Sequence, residues 1–327
     1  MPGTDISETV RLVVGECPQL PYLPELPARG PGADMIGRTA GLLATIDPGF
    51  AVQTTTTGWR FADRPGAAVR RAQSWVAQDL DALEEYAADV TGAIKVSLCG
   101  PWTLAANIEV RTGDRALNDP GACSDVTDAL VDLAGSHVRD LARRLPNASI
   151  VVQIDEPSLS AVLTGTVSRQ SGWGRLAPVQ DVTVVKSLGA ITEAIGSAGG
   201  RSVIHCCADN VPFDTLRRSG VDGFCVDPRR VSPADIEALG LAFEAEMVLM
   251  IGIVSASDAS LSEVSASVEQ VRDLSHRIGF PVDEFVEQIL LTPTCGMAAA
   301  SPSYVRSAMS HLRSVSSALT QLDDRDR

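Results

Sequence analysis

One short run of this sequence carries three side chains able to bind a metal. Val203-Ile204-His205-Cys206-Cys207-Ala208 sets an imidazole and two thiols directly after an apolar pair. With Gly199-Gly200 before them, Val203 and Ile204 read as a short buried strand. Side chains alternate along a strand, so His205 and Cys207 point one way and Cys206 the other. Two further apolar runs end in comparable groups, Gly223-Phe224-Cys225-Val226-Asp227 and Ile289-Leu290-Leu291-Thr292-Pro293-Thr294-Cys295-Gly296. If all three are parallel strands of one closed barrel, their carboxyl ends meet on one rim. There His205, Cys207, Asp227 and Cys295 would surround one cation. One nitrogen, one oxygen and two sulfurs suit zinc best. A single Cys at a strand end is more often a small buried hydrophobe, and these ligands are scattered instead of paired in CxxC modules. The case for a site therefore rests on the elements that position them.

Those elements alternate. A helix is expected from Ile6 to Val14, then a short extended strand within Leu20–Leu26 that ends at Glu25 and runs into a Pro- and Gly-rich loop. Ala51 to Gly58, with a run of four Thr, reads as a hairpin arm or an extra strand. Helical spacing returns from Pro65 to Val90, followed by a strand at Ile94–Leu98 closing on Cys99-Gly100-Pro101. Asp119-Pro120 opens a helix to about Leu145, and the strand Ser149–Ile154 delivers Asp155-Glu156-Pro157 to its carboxyl end. Helices are expected near Val179–Ser197, Ser232–Phe243, Ser260–Ile278 and Ser301–Leu322, with a strand at Met247–Val254. Such alternation predicts a parallel α/β barrel of the TIM (β/α)8 type. Its strands should end near Glu25, Gly100, Asp155, Cys207, Asp227, Val254 and Cys295, with the barrel's first strand lacking. No linker or repeat divides the chain, so one catalytic barrel over residues 1–327 is expected.

The bulk composition narrows the partners. Asp and Glu number 41 against 27 Lys and Arg, a net charge of -14, which disfavours a nucleic-acid or anionic-membrane surface. No apolar stretch reaches the length of a membrane span, and the N-terminus lacks a basic region followed by an apolar core. A cytoplasmic protein is expected. Seven Cys, an odd number in a long chain, favour reduced thiols over a disulfide framework.

With these strand ends in place, the sequence resembles the zinc-bearing catalytic domain of cobalamin-independent methionine synthase. That family ends one strand in His-x-Cys, the next in an acidic ligand and the last in Pro-x-Cys-Gly, matched here by His205-Cys206-Cys207, Asp227 and Pro293-Thr294-Cys295-Gly296. The likeness extends to Gln153-Ile154-Asp155-Glu156-Pro157, to Gly100-Pro101, and to Glu25 with Asp34-Met35. What it implies is zinc-activated methyl transfer to the sulfur of homocysteine, with His205, Cys207 and Cys295 at the catalytic metal, Asp227 as fourth ligand, and Glu25 and Asp155 holding the substrate ammonium.

Four departures accompany it. The family's large N-terminal domain has no counterpart. Its first strand, with Ile-Gly-Ser just before the segment matching Met1-Pro2-Gly3-Thr4, is also missing, and a translation start upstream of Met1 is expected to supply it. The acidic ligand is Asp227 where the family has Glu. After the seventh strand the family has a histidine that protonates the folate leaving group, whereas this chain reads Gly252-Ile253-Val254-Ser255-Ala256-Ser257-Asp258. Asp258 is a poor substitute, because an ordinary carboxyl is ionised at neutral pH. The implied donor is therefore methyltetrahydrofolate or another methyl carrier, such as a corrinoid protein.

Two other readings stay open. A metal-free enzyme like uroporphyrinogen decarboxylase would need Arg residues at the barrel mouth, with Arg29, Arg38 and Arg60 as candidates. A zinc- or thiol-binding protein without turnover is the third.

Overall fold

Asp side chains begin three of the helices. Asp5 caps α1 (Ile6–Glu16), Asp34 caps α2 (Met35–Ile46) and Asp119 caps α5, each carboxylate accepting from backbone N–H groups of the first turn. In the computed structural model, which describes residues 1–47 and 49–326, α2 is followed by a hairpin, β1 (Val52–Thr55) and β2 (Gly58–Phe61). Then come α3 (Ala67–Ala87), β3 (Ala93–Cys99), α4 (Pro101–Asn107), β4 (Ile108–Glu109), α5 (Pro120–Arg144), β5 (Ser149–Asp155), α6 (Leu159–Thr164) and α7 (Asp181–Ser197). The second half holds β6 (Arg201–His205), α8 (Phe213–Arg218), β7 (Gly223–Val226), α9 (Ile236–Glu244), β8 (Val248–Val254), α10 (Val264–Ile278), α11 (Val282–Glu287), β9 (Ile289–Pro293) and α12 (Pro302–Asp326).

Six of the strands form one curled parallel sheet in the order β3-β5-β6-β7-β8-β9, a half-barrel of the TIM type that lacks a strand. Each neighbour in space is also the next main strand in sequence, as right-handed βα units produce. The Ala51–Gly58 region is the hairpin arm, and it pairs with β4 in a separate small sheet. The strand expected within Leu20–Leu26 shrinks to a single bridge between Tyr22 and Lys95. Leu23 N–H donates to the Lys95 carbonyl and Lys95 N–H to that of Pro21. Pro21 and Pro24 on either side have no N–H to extend the ladder.

The strands are buried on both faces, but unequally. Outward side chains such as Val152, Ile154, Ile204, Phe224, Leu249 and Ile251 join the main core, against which α5 packs on β5, α7 on β6 and α10 on β8. The concave face holds only a small apolar cluster of Val151, Val203 and Met250, with Cys225, Val248 and Leu290 at its margin. Polar side chains have room above that floor. Among the described residues no helix is long and apolar enough to cross a membrane.

Candidate functional site

β6 stops at His205, yet the alternation of its side chains continues for two more residues. Cys206 is 4% exposed and faces outward, its sulfur 3.9 Å from Ser160 Oγ on α6, while His205 and Cys207 are half-buried on the concave side. Cys295 arrives from the far edge of the sheet, two residues beyond β9. One ligand atom each from His205, Cys207 and Cys295 lies within 4.8 Å of the others, the one such His/Cys/carboxylate group among the described residues. Nε2 of His205 is buried without a hydrogen-bond partner. An orphaned buried nitrogen is costly, and a metal ion at this point would relieve it. A nitrogen and two sulfurs form a donor set that a thiophilic dication accepts.

The protonation of the trio is linked. Burial works to lower the His205 pKa, but the charge of Cys225 and the nearness of the Cys207, Cys225 and Cys295 sulfurs outweigh it and hold the imidazole well above its ordinary value. The neighbouring Cys207 thiol and then the His205 ring bring Cys295 down to about 4. The same contact with Cys295 raises Cys207.

Asp227 stands apart. It follows the end of β7, and its carboxylate accepts from Arg229 through Nε at 3.0 Å and Nη2 at 2.9 Å, with Arg230 Nε at 3.7 Å. It lines the same cavity of about 500 Å³ as His205, Cys207 and Cys295, but it is outside their 4.8 Å group. The physical reason is local: a turn carrying two guanidiniums directly after Asp227 engages the carboxylate.

Sequence reasoning passed over Cys225. Ile204 and Phe224 are paired in register, so the next residues along, His205 and Cys225, are lateral neighbours on the concave face. Cys225 Sγ lies 4.0 Å from Met250 Sδ, its partner on β8. The signal that could have found it is the alternation already applied to β6, since Cys225 and Asp227 share a strand face.

The two carboxylates expected to hold an ammonium occupy different surroundings. Asp155 is in register with His205 and only 8% exposed. Burial raises its pKa, opposed by the His205 charge and by the Gln153 amide, which donates to it at 2.7 Å. Gln153 in turn accepts from Lys95 Nζ at 2.5 Å. Glu25 is pushed up to about 7 by burial, against the pull of Arg38, with the Asp155 and Asp34 charges adding to the rise. Glu156, next to Asp155 in sequence, points the other way. Its carboxylate accepts from Trp102 N–H (2.9 Å), Thr103 N–H (2.8 Å) and the Thr103 hydroxyl (2.7 Å), closing the start of α4. A Cβ at Gly100 would sit 2.3 Å from Glu156 Oε1, which is why glycine precedes Pro101.

The arginines required by a metal-free decarboxylase are already matched with carboxylates. Arg29 and Arg38 both bond Asp79, which is wholly buried on α3, and Arg60 bonds Glu109. Asp258 is occupied as well, accepting from Ser301 N–H at 2.7 Å ahead of α12.

Comparison with known proteins agrees with this geometry. The family model described as the cobalamin-independent synthase catalytic domain matches residues 73–318. Comparison with curated proteins finds no match. Among solved structures, the chain is similar to a B12-independent methionine synthase from Shewanella sp. W3-18-1 in complex with selenomethionine. The TM-score is 0.50 and the identity 14%, over 74% of this chain and 66% of that one, a likeness of fold. From the matched residues, which include every strand of the curled sheet and all three members of the His/Cys/Cys group, the chain belongs to the family of the cobalamin-independent synthase catalytic domain.

Proposed function

We propose that this chain is a zinc-dependent methyltransferase that methylates the thiol of homocysteine to give methionine. The observation that supports it best is the His205, Cys207 and Cys295 group, with its orphaned imidazole nitrogen, at the wall of a cavity of about 500 Å³. His205, Cys207 and Cys295 would hold the zinc. When bound, zinc supplies the positive charge that keeps a substrate thiol deprotonated near neutral pH. In the reaction a sulfur–methyl bond forms, the bond between methyl and its carrier breaks, and the carrier leaves with the electron pair. Glu25 and Asp155 orient the substrate through its ammonium, and Arg38, 3.4 Å from Glu25, holds that carboxylate in place.

The donor follows from the acids within reach. Of the four His, His137, His276 and His311 are on α5, α10 and α12, and none of them lines the cavity. A folate amine needs a proton as it leaves, whereas a corrinoid leaves as a stable reduced ion. Methylcobalamin should therefore methylate homocysteine at least about tenfold faster than methyltetrahydrofolate does. Equal rates would remove the argument, and no methionine from either donor would favour a zinc- or thiol-binding protein without turnover.

Glu25 supplies a pH test. With its pKa near 7, its ionised fraction falls about tenfold from pH 8 to pH 6. Only the ionised form attracts an ammonium, so methionine, whose thioether has no proton to lose, should bind about tenfold more weakly at pH 6. Titration calorimetry on the wild type and on Glu25→Gln checks this. The variant should bind weakly at both pH values, and an unchanged pH dependence would show that another group holds the amine.

A further inference from the structure

The inference concerns which side chain completes the metal site, and it rests on the reading that His205, Cys207 and Cys295 hold a metal. Three ligands leave a tetrahedral ion one short. Asp227 and Cys225 both line the cavity on that side. We propose that Cys225 is the fourth protein ligand, in place of the Asp227 carboxylate, so that one imidazole and three thiolates surround the ion.

Register brings Cys225 to the site. The row across the sheet runs from Asp155 to His205, then, one step past the Ile204–Phe224 pair, to Cys225, and on to Met250. Cys225 therefore flanks His205 on the adjacent strand, on the concave face. A weak contact with Met250 Sδ at 4.0 Å is the restraint on its thiol. Cysteine has a single side-chain torsion before its sulfur, so Sγ is repositioned without any movement of the strand.

Asp227 has no comparable freedom. Its two oxygens are bonded to both donors of the Arg229 fork, and its Oδ1 also accepts from the Arg229 backbone N–H at 3.1 Å. Swinging it onto the metal would break a two-point charged contact and leave Arg229 unmatched. Cys225 starts outside the 4.8 Å group, and that position suits a ligand that gives way when a substrate thiol arrives.

Cobalt(II) distinguishes the alternatives, because each thiolate bonded to it adds sulfur-to-metal charge-transfer absorbance. Metal-free wild type, Cys225→Ser and Asp227→Asn should be titrated with cobalt, with circular dichroism checking their fold. Per cobalt bound, Cys225→Ser should lose about one third of the charge-transfer absorbance, three thiolates becoming two, and its affinity in a chelator competition should drop at least about tenfold. Asp227→Asn should match the wild type in both. X-ray absorption of the zinc-loaded wild type counts sulfurs directly and needs no variant, with three expected. Two sulfurs, or an unchanged Cys225→Ser spectrum beside an altered Asp227→Asn one, would overturn the role of Cys225 and leave the metal reading standing. A wild type that takes up no cobalt would overturn both.

Discussion

Cys207→Ser and Cys295→Ser should lose zinc and, with it, methyl transfer, whereas Cys206→Ser should retain both. The contrast comes from one strand. Cys206 and Cys207 are neighbours in sequence, but strand alternation aims their sulfurs apart, that of Cys206 toward Ser160 on α6 and that of Cys207 toward His205 and Cys295. A structural zinc site is worth on the order of 10 kcal/mol or more in total, so deleting one of its thiolates should weaken binding by about 3 kcal/mol, on the order of a hundredfold. At Cys206 the serine hydroxyl enters a core position with Ser160 and costs about 1 kcal/mol of stability, without touching the metal. Metal content after dialysis, measured beside the rate of methionine formation, checks all three variants. Loss of zinc from Cys206→Ser with retention in Cys207→Ser would mean that the two thiols face the other way.

The second large effect belongs to stability. Asp79 is wholly buried on α3, and both Arg29, from the loop before α2, and Arg38, on α2, bond it; their side chains are 9% and 7% exposed. Asp79→Ala leaves two guanidiniums in the interior with one carboxylate, Glu25, at 3.4 Å from Arg38. Removing one partner from a buried ion pair typically costs about 3–5 kcal/mol. The variant should unfold at correspondingly lower urea. By contrast, Arg143→Ala breaks an exposed pair with Asp140 on α5 and should change stability by less than about 1 kcal/mol. If Asp79→Ala were equally mild, solvent would have to reach both arginines.

How much of this could be read from residues alone follows the range of each interaction. The order of main strands from β3 to β9 was legible because each apolar run is bounded by turn residues and separated from the next by a helix. The sharing of a face by His205 and Cys207 needed only the two-residue period of a strand. α4 and α6 were not legible: each is a turn or two long and mostly buried, so neither shows the polar–apolar rhythm that marks a surface helix. The extent of pairing near Tyr22 depended on where Pro21 and Pro24 fell relative to the ladder of β3. Around the His/Cys/Cys group, the attachment of Asp227 to Arg229 and the lateral meeting of Cys225 with His205 are set by a turn geometry and a strand register. Spacing along the chain specifies neither.

The row Lys95, Gln153, Asp155 has a direction built into it. An ammonium can only donate, so the Gln153 oxygen must face Lys95 and its NH2 group must face Asp155, as the distances of 2.5 and 2.7 Å reflect. Turning the amide over would set donor against donor at one end and oxygen against oxygen at the other. The amide thus serves as a one-way connector that conveys the sign of a charge through the floor of the sheet. A cation held at β3 over the Tyr22 ring, 5.4 Å from its centre, presents Asp155 with a fixed hydrogen-bond donor on its inner side. The carboxylate's remaining capacity to accept is left for the mouth of the half-barrel, so the direction from which a further donor can approach is decided from beneath.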